Sequence, residues 1–307
     1  MKKNTLQSKY FYLNSNKWSI IIFLVFALMS GNLFCQQKSK KKFKTTTSTK
    51  SIKKIKKTSD YDIYPFDLNR KQLPLDYKGV NPVLLYNQIY YRSNLHKSDY
   101  ETSSQYNERI SLERGKPLLG KIYTDSILAF VSKYIGQEYN ADNQILNVNI
   151  VLNMYTDYSR AKPFDFNRRC VMLDEIKEES TYSGSNAFGF NVIVDKNESK
   201  EYDLLLKNWK NFNVKMGKLE IDASIQLTTE IDVSHAKQII ESNSLGCLFI
   251  GKISEPYTCE GYSQIKPTID FPKEFITYNK YINLDVIEIW LFNKKTGEIY
   301  SKIKPLK

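Results

Sequence analysis

Acidic residues are missing from the first 58 positions of this 307-residue chain, a stretch that holds 14 of its 45 lysines and arginines. That absence means the overall charge of +12 belongs to the leader and not to the domain behind it. From Ser59 to Lys307 the remaining 31 basic residues face all 33 acidic ones, a formal charge of −2. Histidine is scarce: His96 and His235 are the only two, so triad chemistry would have to use one of them. No G-x-S-x-G elbow, H-E-x-x-H pair or Walker A loop occurs. There are four cysteines but no C-x-x-C, which argues against a structural zinc site. No cofactor is indicated.

What is present at the start follows the order an export signal requires. Lys2, Lys3, Lys9 and Lys17 form a positive n-region, and Trp18 to Phe34 (WSIIIFLVFALMSGNLF) is apolar except for Ser19, Ser30, Gly31 and Asn32. Residues 1–35 therefore read as a signal peptide cut between Cys35 and Gln36, with a cut after Ser30 as the alternative. Two other readings stay open. Cys35 as an acylated first residue lacks the small residues a lipobox places before it, and 18–34 as a retained membrane anchor is slightly short of the ~20 residues that span a bilayer. Residues 36–59 hold ten lysines among Ser, Thr and Gln, too little apolar surface for a core, so they read as a disordered linker. Such a tract can adhere to an anionic membrane surface at about 1 kcal/mol per Lys held there. Dense lysine after an apolar run also resists translocation, which keeps the anchor reading alive. Nucleic acid is the weaker partner for this charge, with one aromatic for stacking and a slightly acidic domain behind it.

Residues 60–307 are enough chain for a globular domain with a substantial core. If Cys35 leaves with the signal, Cys170, Cys247 and Cys259 remain. Cys247 with Cys259, close in sequence within an expected hairpin, is the candidate disulfide, and three unpaired buried thiols are the alternative.

Helices are expected mostly near the start of the domain. Asn81 and Pro82 suit an N-cap and first helical residue for VLLYNQIYYRS, with Leu84, Leu85, Ile89 and Tyr90 on one face. Thr102 and Gln105 form a capping box for a helix through Tyr106, Arg109, Ile110 and Leu112, closed by Gly115 and Pro117. A third is expected from Ser234 to Ser242, capped by Ser234, with Ala236, Ile239 and Ile240 inward. Most of the rest reads as strand: 145–152, 187–194, 219–227, 245–253, 281–292 and 298–303. The last two join across NKKTG, where Gly297 supplies the positive φ of a bulged turn. Helices grouped beside a largely antiparallel strand series, without β-α-β alternation, indicate an α+β fold that is predominantly antiparallel β.

The stretch KSDYETSSQYNER (97–109) resembles a segment of uncharacterised exported bacterial proteins, which carry an acidic-aromatic-Glu-Thr start followed by an aromatic and an Arg on the next helix. The matching positions are Tyr100, Glu101, Thr102, Tyr106 and Arg109, with Tyr100 where Phe is expected. TYSGSNAFGF (181–190) and IEIWLFNKKTGEIY (287–300) look like the same kind of protein. The resemblance covers fewer than forty residues. It implies export and a domain type, and no catalytic residue.

Tyr100, Glu101, Tyr106 and Arg109 are the candidate binding residues, Arg109 offering a planar fork to a carboxylate or phosphate. The same residues have a purely structural use, Glu101 at a helix N-terminus and Tyr106 packed with Arg109 one turn on. His96, Asp99 and Glu101 could form an acid/base cluster or a two- or three-ligand metal site, which would make the protein an envelope hydrolase. Twenty-two tyrosines suit a glycan or peptide surface if several share one solvent face. The first expectation is an exported, nonenzymatic envelope protein that binds another envelope protein, glycan or peptide, in the periplasm or secreted. The others are that hydrolase, and a structural protein anchored by 18–34 whose polybasic segment contacts lipid.

Overall fold

Local chemistry starts the first helix: the Asn81 side chain accepts from the Leu84 N–H at 2.9 Å, and Pro82 follows at the first helical position, where its missing N–H costs nothing. In the computed structural model that describes the protein, residues 61–92, 95, 97–156, 164–185, 189–217 and 222–306 are described, within the unit Lys57–Lys307. The signal reading of 1–35 and the linker reading of 36–59 lie outside them. Among the described residues no helix is long and apolar enough to cross a membrane.

The helices are α1 (Pro82–Tyr90), α2 (Ser103–Arg114) and α3 (Val233–Glu241). The Thr102–Gln105 capping box forms in both directions at the start of α2. Two inward assignments change, Tyr90 of α1 and Ile240 of α3. In α1 the buried face is Leu85, Tyr86 and Ile89, and Tyr90 turns outward, because Tyr86 packs edge-on against Tyr202. In α2 Leu112 is exposed while Tyr106, Ile110 and Glu113 are buried, and in α3 Ile240 is exposed. Helix α3 is capped by Asp232 and not Ser234. The Asp232 carboxylate accepts from the N–H groups of Ser234 and His235, and the Ser234 hydroxyl donates to it. A carboxylate also answers the helix dipole better than a hydroxyl does.

The strands are β1 (Leu128–Val131), β2 (Gly136–Asn140), β3 (Ile145–Thr156), β4 (Phe164–Ser185), β5 (Asn191–Leu206), β6 (Val214–Met216), β7 (Ala223–Glu230), β8 (Leu245–Ile265), β9 (Lys273–Asn293) and β10 (Ile299–Ile303). They make one mixed, mainly antiparallel sheet in the order β1-β8-β9-β5-β4-β3-β7-β6, with β10 on β9 and β2 on β3. The fold is α+β with far more strand than helix. Its parallel pair is β5 with β9, Asp195–Leu206 against Lys273–Leu284, which joins two long antiparallel hairpins, β4–β5 and β8–β9.

Several strands run well past the sequence pattern. The β4 segment carries Glu175, Lys177, Glu178 and Glu179, exposed or half-buried with no clean alternation to mark it. β8 continues through Pro256 and Gly261, and the register shift between Ile253 and Thr258 absorbs the proline as a bulge. Of the expected 219–227 strand, Ala223, Ile225 and Leu227 alternate inward as anticipated, while 218–221 lie outside the described residues, as do 186–188.

Three cores follow from the sheet's two faces. The largest packs α1, α2 and α3 on the inner faces of β3, β5, β7, β8 and β9, with Leu85, Ile150, Leu204 and Leu284 fully removed from water. Each such side chain contributes roughly 1.5–3 kcal/mol. On the opposite face, the segment 66–77 lays Phe66, Leu73 and Tyr77 over Leu248, Trp290 and Phe292. Phe66 meets the Trp290 ring edge-on at 5.1 Å. The third core is Tyr155, Cys170, Leu205 and Tyr281, with Cys259 against it, where the end of β3 comes over to β8. Gly261 permits that approach, since a Cβ there would lie 2.1 Å from the Thr156 carbonyl oxygen. The Tyr155 hydroxyl donates to the Glu260 carbonyl at 3.2 Å across the same seam.

Gly297 has φ +73°, and a Cβ there would meet the Leu73 carbonyl oxygen at 1.9 Å. Gly297→Ala is therefore expected to lose roughly 1–3 kcal/mol from backbone strain, more if the 66–77 segment is displaced, read as a lowered midpoint in urea unfolding.

Candidate functional site

The expected recognition residues meet at the start of α2, where they satisfy one another. Arg109 Nε and Nη2 donate to Glu101 Oε1 and Oε2 at 2.8 and 2.6 Å, the two-pronged geometry that carboxylates favour. Hydrogen bonding from Arg109 holds the Glu101 carboxyl below its ordinary range and raises the guanidinium in turn. The guanidinium lies 5.4 Å from the centre of the Tyr106 ring, and the buried Tyr106 donates its hydroxyl to the Leu95 carbonyl at 3.4 Å. Tyr100, 99% exposed, stands apart. Glu101, Tyr106 and Arg109 thus form a clasp that fixes the entry of α2, with the fork of Arg109 turned on Glu101.

His96 lies outside the described residues. Asp99 sits in an exposed turn, and Glu101 is engaged as above. Among the described residues no group of three or more His, Cys, Asp and Glu could hold a metal. The disulfide expectation is corrected by topology. Cys247 and Cys259 lie on the single strand β8, opposite Leu291 and Tyr281 of β9, not on two arms of a hairpin. At ~3.3 Å per residue they are tens of ångströms apart, against roughly 4.4–6.8 Å between the Cα atoms of a disulfide.

Sequence inspection missed a buried acid in the third core. Asp203 on β5 is 2% exposed, and its Oδ1 accepts no hydrogen bond among the described residues. Burial first, then the charge of Glu201, pushes its carboxyl up to about 8. Burial likewise raises Glu201 and the Cys170 thiol beside it. The only advance signal was an acid at the head of the apolar run DLLL.

The tyrosines do gather, but chiefly in structural work. Tyr86 and Tyr90 stack at 5.5 Å, and their hydroxyls donate to Glu260 at 3.1 and 3.3 Å. Lys280 also reaches Glu260, beside both rings. This network ties the end of α1 to β8 and β9, leaving Tyr90 and Tyr91 facing solvent.

A cleft of about 340 Å³ offers a different chemistry. Its floor is apolar, from Val80, Pro82, Phe130 and Leu173, and Tyr61 and Tyr77 form part of its wall. Lys78, Lys133 and Lys294 supply cations at the rim, and Asp76 and Asp174 supply carboxylates. Lys133 is paired with Glu175 at 3.3 Å, and Lys78 lies 5.6 Å from the Tyr61 ring centre. Lys294 is half-buried, pushed below its ordinary value by burial, and makes no ion pair among the described residues. The volume falls within the ordinary range of small-molecule sites. A half-buried lysine sharing a cleft with buried apolar side chains suits an anionic head on an apolar body.

Comparison with protein-family models, with curated proteins and with solved structures finds no match to this chain.

The Asp203 geometry dictates a pH dependence. A carboxyl raised in the folded state keeps its proton there while the unfolded chain has lost it, so stability declines as pH rises from about 4 to about 8. Asp203→Asn is expected to flatten this window and to raise the melting temperature by several degrees near pH 8. Thermal scans at a series of pH values test it, and an unchanged slope would show that the acid is not held neutral.

Proposed function

We propose that this chain is an exported, nonenzymatic binding domain of the cell envelope, and that the cleft beside Lys294 takes a small ligand with an anionic head and an apolar body. The single observation that carries the ligand chemistry is the half-buried Lys294, which makes no ion pair among the described residues and lines the same cleft as the buried Val80, Phe130 and Leu173. A bound carboxylate would repay the amine's lost hydration, and the floor would shelter the ligand's apolar part. Export is supported by the n-region and apolar run ahead of Gln36, which would place the domain in the periplasm or outside the cell. Retention of 18–34 as an anchor is the alternative, with the same domain held at a membrane. In this reading the Glu101–Arg109 clasp is architectural, and no residue is assigned to catalysis.

Octanoate at millimolar concentration is the probe. It is expected to raise the melting temperature of the parent protein by a few degrees and to leave Lys294→Met unmoved. Lys294→Met should itself be slightly more stable than the parent below pH 10, because the folded state no longer carries a half-buried ammonium. Equal stabilisation of both proteins, or of neither, would remove the cleft from consideration.

A further inference from the structure

The described residues expose twenty large apolar side chains, and most are scattered singly, as on any folded surface. Five are not: Phe190 immediately precedes β5 and Ile193 lies near its start, while Ile269, Phe271 and Phe275 surround the turn into β9. The parallel register sets these two places side by side. Asp195 pairs with Lys273, and the Asp195 N–H donates to the Pro272 carbonyl at 2.9 Å. Ile193 and Phe275, each an even number of residues from that pair, fall on one face of the sheet. The Phe271 and Phe275 rings stack at 6.3 Å with planes 22° apart.

The turn is pinned although its side chains are not covered. The Thr268 N–H donates to the Phe271 carbonyl at 2.9 Å, the Phe271 N–H to the Thr268 hydroxyl at 3.0 Å, and the Lys273 N–H to the Phe271 carbonyl at 2.8 Å. Apolar residues at a tied-down tip are unexpected, since turns ordinarily carry polar residues and glycine. The tips stand roughly 30 Å along β9 beyond Ile282, where the main core ends. Charged neighbours are mixed. Lys266 and Lys273 are exposed, Lys196 is paired with Glu198 at 2.9 Å, and Asp195 and Asp270 are exposed.

We propose that the two hairpin tips insert into the interfacial layer of a lipid bilayer containing anionic lipid. A projecting apolar point needs a medium that deforms around it, and a protein partner would have to supply a matching hollow. Aromatic and branched side chains suit the depth of the head groups, where Lys266 and Lys273 can meet lipid phosphates. The same chain carries the apolar run Trp18–Phe34 and the ten lysines of 36–59, so a bilayer is the surface its own sequence directs it toward.

The test is co-sedimentation of the chain from Gln36 onward, the product of the expected signal cut and free of the apolar run 18–34, with phosphatidylcholine–phosphatidylglycerol vesicles at about 0.5 M salt, where adhesion by the 36–59 lysines is screened. The double variant Ile193→Ser/Phe271→Ser is expected to bind at least ~10-fold more weakly, from the apolar area withdrawn, with an unchanged melting temperature. Tyr91→Ser/Leu112→Ser, which removes exposed apolar groups elsewhere, is expected to bind as the parent does. Independently, Phe271→Trp should add emission that shifts to the blue on vesicles and is quenched by brominated acyl chains. Parent-like binding by the tip variant, or added emission that brominated lipid does not quench, would overturn the proposal. So would a vesicle-independent dimer that the tip variant disperses, which would assign the tips to a second copy of the chain.

Discussion

Strand β9 is the element on which the rest of the structure depends, because it is paired along both edges. On one side it carries β8 from Leu245 to Ile265, and on the other it carries β5 up to Leu284 and β10 beyond Ile289. Its faces are buried in turn. Leu284, Ile289 and Leu291 enter the main core, Trp290 and Phe292 enter the core under 66–77, and Tyr281 enters the third. A backbone hydrogen bond contributes only about 1 kcal/mol net, so the pairing matters less as energy than as register. Slipping β9 by one residue would exchange its two faces and empty all three cores at once.

The features readable from the sequence were the ones decided locally. Asn81 with Pro82 and Thr102 with Gln105 need only a few neighbouring residues to act, and Ala223, Ile225 and Leu227 alternate because one side of β7 is dry. Apart from the Asp232 cap of α3, which is local, what was not legible depends on distant chain. Tyr86 replaces Tyr90 on the buried face of α1 because Tyr202 lies beneath it. Residues 174–185 of β4 show no period since they are solvated on much of both faces, and Pro256 reads as a breaker until a bulge accommodates it. The parallel union of β5 with β9 joins segments almost eighty positions apart with no pattern to announce it. The Lys294 cleft is of this kind. Its walls come from 61–82, 130–133 and 173–174, and no spacing rule connects those residues to position 294.

Polar groups divide into two kinds by how their desolvation is met. Glu101, Glu260 and Glu175 are each held by cations or hydroxyls, and all three carboxyls are shifted below their ordinary range. In these the charged form is the stabilised one. Asp203 and Lys294 shift the opposite way, toward neutrality, because burial at each is not outweighed by an opposite charge, as it is at Glu175 and Glu260. Groups of the second kind weaken the fold and are therefore the better guide to function than the well-made ion pairs, which explain themselves structurally. Asp203 is sealed among side chains, whereas Lys294 opens on a cleft. That difference makes the lysine the candidate for contact with a ligand.

The two proposed contacts also lie at opposite ends of the same strand, Lys294 immediately after β9 and Phe271 just before it. Twenty-one residues of β9 span roughly 65 Å. A ligand held at Lys294 would then stand well away from a bilayer entered by the tips.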